Sequence, residues 1–195
     1  MNREISDIVQ AWQARPQAQF ALATLVRACG SSYRLPGARM LMARDGAAVG
    51  SISGGCLEDE VIDRARQVLQ TGQPSVMTFD TRQRFGCHGE IEVFVEQASS
   101  TFLSDLAQWH TSRRGGRVVT IFDGEDAQAG SRFMSEDERV PTNAFVQTLE
   151  ARLQLLVVGK GPDCLALTRL AEIEAPGMTA SIKSFARGPW TATAE

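Results

Sequence analysis

The sequence has no apolar run near the roughly 20 residues that a helical membrane span requires, so no transmembrane helix is expected. It has no Lys/Arg run, and its net charge of −3 disfavours nucleic acid as the main partner. Cysteine is sparse. Cys29, Cys56, Cys87 and Cys164 are scattered with no CxxC pair, which argues against a disulfide framework and against a zinc ribbon. The opening stretch MNREISDIVQAWQ carries charges and helical periodicity in place of an apolar signal core, which reads as a cytoplasmic protein. Internal repeats and low-complexity tracts are also missing. What remains is 195 residues, 43% hydrophobic and 22% charged, enough for one ordinary domain or for one plus part of a second.

Helical spacing of Ile5, Ile8, Val9 and Trp12 predicts an opening helix. The apolar run 20–26 reads as a buried strand, followed by a polar loop over 30–37. Residues 39–43 and 47–52 read as strands joined by a tight turn at Asp45-Gly46. Leu57, Val61, Ala65, Val68 and Leu69 fall at helical intervals, ending before Gly72-Gln73-Pro74. Strands are expected at 75–79, 90–96, 117–122 and 153–158, with helices around 101–113 and from about 162 to 174. The charged, apolar-poor stretch 123–143 reads as a loop or linker. This alternation argues an α/β or α+β fold.

Glycine-bearing segments carry the candidate chemistry. Ser53-Gly54-Gly55-Cys56 leads into a helix. Consecutive glycines permit close backbone approach, and free N–H groups at a helix start suit an anion such as phosphate or an oxo-metal group. Glu58, Asp59 and Glu60 crowd the same first turn and complement the helix dipole by themselves. A plain tight turn with a buried cysteine fits these residues equally well. Phe85-Gly86-Cys87-His88-Gly89 is a second such segment. Cys56, Cys87 and His88 are soft metal ligands, but neighbours on an extended segment face opposite ways, so Cys87 and His88 are not expected to share one metal. The loop from Gly30 to Met40 offers hydroxyls with Arg34 and Arg39, reasonable material for an anion; a solvated strand connection is the alternative. Finally, Gly159-x-Gly161-x-x-Cys164 stands where a dinucleotide fingerprint would. Its third small position is Cys, Pro162 stiffens it, and the strand candidate 178–185 ends without an acidic residue. NAD(P) binding within this chain is therefore not expected.

Taken in order, GSSYRLPGARM, SISGGCLEDEVIDRA and FDTRQRFGCHGEIEVFVE resemble the N-terminal domain of the XdhC/CoxI family, over roughly residues 5–97 with weaker similarity to about 175. That family comprises accessory proteins of molybdenum hydroxylases such as xanthine dehydrogenase and carbon monoxide dehydrogenase. The resemblance implies transient binding of the molybdenum cofactor (molybdopterin), help with its sulfuration, and its insertion into an apo-molybdenum hydroxylase. A cysteine desulfurase is the second implied partner, and the protein would handle its cofactor without turnover of its own.

Gly37, Ser53, Gly54, Gly55, Cys56, Glu58, Gly86, Cys87 and Gly89 match the motifs by position. On this reading Ser31 and Arg34 join the turn in contacting phosphate or pterin, and Cys56 or Cys87 lies near the molybdenum. The implied layout is a mixed-sheet N-terminal domain with flanking helices over 1–125, a linker over 126–150, and a truncated, partial Rossmann-like βαβ segment over 151–195. Apolar residues at 153–158 are compatible with a homodimer. Two alternatives stand beside this: a small NAD(P)-binding oxidoreductase, which nucleotide-dependent thermal stabilisation would reveal, and a redox-responsive thiol protein.

Overall fold

The structure is a computed structural model, and it describes residues 2–81, 89–112, 114–123, 129–135, 137–151, 155–158, 161–174 and 180–183. The chain divides into two compact units, Arg3–Ala151 and Arg152–Glu195. In the first, the elements run α1 (Asn2–Ala14), β1 (Phe20–Gly30), β2 (Arg39–Ala43), β3 (Ala48–Gly50), α2 (Glu58–Thr71), β4 (Ser75–Asp80), β5 (Gly89–Gln97), α3 (Ser100–Thr111), β6 (Gly116–Ile121), β7 (Gly130–Phe133) and β8 (Ala144–Leu149). The second unit holds β9 (Leu155–Val158), α4 (Pro162–Glu174) and β10 (Ala180–Lys183).

The larger sheet has the order β3-β2-β1-β5-β4. Every pairing in it is antiparallel, where a mixed sheet was expected. The reason is connectivity. A turn reverses the chain between β2 and β3, and α2 carries it from β3 at one edge to β4 at the opposite edge, so these two like-directed strands never pair. The described elements of the second unit form a βαβ unit, with β9 and β10 parallel and α4 between them in sequence.

Residues 20–26 of β1 are buried on both faces, which explains their unbroken apolar run. Ala21, Ala23 and Leu25 pack with Met40, Met42, Val93 and Val95 under Val61, Ala65, Val68 and Leu69 of α2. Phe20 and Leu22 face the other way, toward Ile5, Ile8 and Val9 of α1 and Phe102, Leu103 and Leu106 of α3. The stretch 123–143 is not wholly loop. It contains β7, and with β6 and β8 it makes a second antiparallel sheet of order β7-β6-β8. Both added strands turn polar residues inward: Ser131 and Gln147 are each 6% exposed.

One of those inward polar groups, Gln147, meets a buried arginine. Arg39, read from the sequence as part of an anion-binding loop, is instead fully buried. Its Nη1 donates to Gln147 Oε1 and, at 3.3 Å, to the Gly37 carbonyl, while its backbone N–H donates to Glu4 Oε1 at 2.7 Å. Burial pulls its pKa down to about 10, against the opposing pull of Glu4 and Glu96. Burial likewise raises the pKa of Glu96, whose Oε2 accepts from the Ser131 amide at 2.9 Å. Arg39→Ala should therefore cost about 3–5 kcal/mol, because it removes the donor to Gln147 and the buried positive charge that opposes Glu4 and Glu96. A lower urea midpoint at unchanged slope is the expected measurement.

Candidate functional site

The turn after β3 is built around Glu58, the first residue of α2. Gly54 and Gly55 hold φ of +89° and +121°, a region that side-chain-bearing residues rarely adopt. A Cβ on Gly54 would also lie 2.6 Å from Cε1 of Tyr33, so the Tyr33 ring rests directly on this glycine. The backbone wraps round the Glu58 carboxylate. Oε1 accepts from Ser51 Oγ (2.7 Å) and from the amides of Ile52, Ser53 and Gly54 (3.0, 2.9 and 3.1 Å). Oε2 accepts from Ser53 Oγ (2.6 Å) and from the amides of Gly55 and Leu57 (2.8 and 3.1 Å). Ser53 Oγ in turn accepts from the amides of Cys56 and Leu57, at 3.0 and 2.9 Å.

The amides of the turn from Ile52 to Leu57 are therefore spent inside the protein. Leu57 at the N-cap makes no side-chain capping bond, and the Glu58 carboxylate gathers amides that precede the helix. Burial would raise the Glu58 pKa, but donation from Ser53, Ser51 and Leu57 outweighs it and holds the carboxyl far below its ordinary value of 4.5. Cys56 is exposed at the turn's outer edge, not buried as a cap.

The three motif segments meet at this end of the sheet. A cavity of about 80 Å³ is lined by Ser32, Tyr33, Ser53, Cys56, Leu57 and Thr81, among others. Thr81 closes the base of the β4–β5 connection: its N–H and hydroxyl donate to the Gly89 carbonyl at 2.9 and 2.8 Å, and the Gly89 amide reaches Thr81 Oγ1 at 3.2 Å. Gly89 itself is needed for space, because a Cβ there would sit 2.4 Å from the Ser31 carbonyl oxygen. Gly86 and Cys87 lie outside the described residues. Among the described residues no group of three or more His, Cys, Asp or Glu side chains is placed to hold a metal ion.

Other expected contacts turn elsewhere. Arg34 forms an ion pair with Glu4 of α1. Gly37 lies against Gln147 of β8, where an added Cβ would approach Nε2 to 2.3 Å. Ser31 is exposed, and its backbone packs on Gly89. The loop presents Ser32 and Tyr33 to the cavity instead, and Tyr33 is 73% exposed. Sequence reasoning missed Ser32, Tyr33 and Thr81; the one available signal was that all three stand inside quoted motif segments. A larger open groove of about 1040 Å³ runs along α3, β6 and β7, lined by residues including Trp109, Arg114, Arg117 and Phe133, and it contains none of the motif residues. In the second unit, Gly159 and Lys160 of the Gly-x-Gly loop lie outside the described residues.

Residues 13–80 match the XdhC and CoxI family. Over 187 residues the chain is 27% identical to a probable xanthine dehydrogenase subunit of Bacillus subtilis (strain 168), covering 80% of this chain and 57% of that protein. A crystal structure of a xanthine dehydrogenase from Bacillus halodurans has a similar fold, with a TM-score of 0.70 at 22% identity, covering 90% of this chain and 62% of that one. The chain thus spans a little over half the length of the curated relative it matches.

Glu58→Gln should lower stability by about 1–2 kcal/mol, a figure discounted for the site's partial exposure, because an amide group replaces one of two accepting oxygens. The native-state pKa of Glu58 is depressed, so its contribution is present above the ordinary value of 4.5 and is lost as pH falls below it. The wild-type melting temperature should accordingly fall more steeply on acidification from about pH 5 to about pH 3 than that of Glu58→Gln.

Proposed function

We propose, on the premise that the matched N-terminal stretch is XdhC and CoxI family sequence, that this protein is a xanthine dehydrogenase-associated factor that carries the molybdenum cofactor during its maturation. The observation supporting this reading is the convergence of Ser32, Tyr33, Ser53, Cys56 and Thr81 on one cavity at one end of the sheet. The cofactor is cargo here, bound and released, and it brings a pterin ring, a phosphate, dithiolene sulfurs and the metal. The residues fit part of it. Hydroxyls and a thiol suit polar and soft atoms, and the exposed Tyr33 ring offers a stacking face. The cavity, at about 80 Å³, admits only an edge of such a ligand, so the rest would lie across Tyr33.

In this role Cys56 holds the soft end of the cargo, and the hydroxyl oxygens of Ser32 and Thr81, whose protons go to the Arg34 and Gly89 carbonyls, accept from its N–H groups. Glu58 keeps the turn rigid so that the thiol is presented outward. Delivery to an apo-molybdenum hydroxylase, sulfuration with a cysteine desulfurase, homodimer formation and a cytoplasmic setting belong to the same proposal. Among the described residues no helix is long and apolar enough to cross a membrane.

Co-expression with an apo-molybdenum hydroxylase tests the proposal. Molybdopterin should copurify with the wild-type chain, and Cys56→Ala should reduce the cofactor retained by about tenfold, or about 1.4 kcal/mol. Absence of copurified pterin from the wild type would refute the cargo role, and unchanged retention in Cys56→Ala would remove Cys56 from it.

A further inference from the structure

A glycine turn feeding a helix start ordinarily forms a nest of N–H groups that binds phosphate or another oxyanion. The turn at Ser51–Leu57 has that form, yet its donors already have an acceptor. Five amides and two hydroxyls converge on the Glu58 carboxylate. The Cys56 amide is taken by Ser53 Oγ. An external anion could reach these donors only by displacing a negative charge that the chain itself supplies, with Asp59 and Glu60 exposed just beyond it.

A second observation points the same way. Among the described residues lining the adjoining cavity there is no arginine or lysine. The two arginines of the 30–40 loop are committed elsewhere, Arg34 to Glu4 and Arg39 to Gln147 and the Gly37 carbonyl. No cation is therefore on offer to a phosphate among the described residues of the cavity, and the amides of Ile52, Ser53, Cys56 and Leu57 are already taken.

We infer that Glu58 is a specificity-determining residue: its carboxylate occupies the turn's anion nest, so the turn rejects external oxyanions and a ligand is met at Cys56 by side chains alone. This rests on the proposed function only for the identity of the ligand. Applied to molybdopterin, it orients the cargo with its phosphate away from the turn and its uncharged or sulfur-bearing edge toward Cys56.

The test needs no cofactor. Backbone amide shifts of the full chain are followed while sodium phosphate is added, with sodium chloride at equal ionic strength as the control. In the wild type, amides 52–57 should show no saturable response specific to phosphate. In Glu58→Ala the same amides should respond saturably, with an apparent affinity at least about tenfold higher than any in the wild type. Phosphate should also raise the melting temperature of that variant and not of the wild type. Saturable phosphate shifts at amides 52–57 of the wild type would overturn the inference, as would a folded Glu58→Ala no more responsive than wild type. If Glu58→Ala does not fold, Glu58→Gln takes its place under the same two criteria. Failure here would put the phosphate of a cargo back on the turn and leave the copurification test untouched, whereas loss of copurification would leave the anion exclusion standing.

Discussion

A central strand buried on both faces must be covered twice, and most of the first unit follows from that constraint on β1. Residues 20–26 carry no charged side chain, so neither face can be left to water. The face bearing Ala21, Ala23 and Leu25 uses small residues, and α2 packs against it. On the opposite face Phe20 and Leu22 are covered by α1 and α3, and the core there extends to Val118 of β6 and Leu149 of β8. The functional end of the sheet inherits its rigidity from this arrangement, since β1 leads directly into the Ser32–Tyr33 loop and α2 begins at the Glu58 turn.

The same face shows where patterning stops being informative. Helices α1, α2 and α3 and the β2–β3 hairpin were legible because their apolar residues recur at the spacing their geometry requires. Strands β7 and β8 were not. A strand is recognised by apolar residues on alternate positions, and these strands bury Ser131 and Gln147 at such positions, as partners for Glu96 and Arg39. A buried arginine is equally invisible from the sequence, because charge normally signals exposure. Arg39 reads as loop chemistry until the structure places Glu4, Glu96 and Gln147 about it.

The candidate site was legible at the level of segments and not of atoms. The three glycine-bearing stretches do come together where they are described, through Tyr33 on Gly54 and Ser31 on Gly89. Which side chains face the cavity depends on backbone direction within a loop, and no periodicity encodes that. Hence Ser32 and Tyr33 stand where Ser31 and Arg34 were expected. The acidic first turn of α2 was read as a complement to the helix dipole, which undervalued one member. Glu58 differs from Asp59 and Glu60 because its position lets the side chain fold back over the preceding turn.

That fold-back has a kinetic side. Every donor to Glu58 lies within seven residues of it along the chain. Closing so short a segment costs little chain entropy and needs no distant strand to be in place. The turn and the first coil of α2 can therefore organise together as one local piece, well before β1 finds β5, its partner from far along the chain. The part of the molecule assigned to hold a ligand would then be among the first to take shape, with the sheet assembling around a turn already formed.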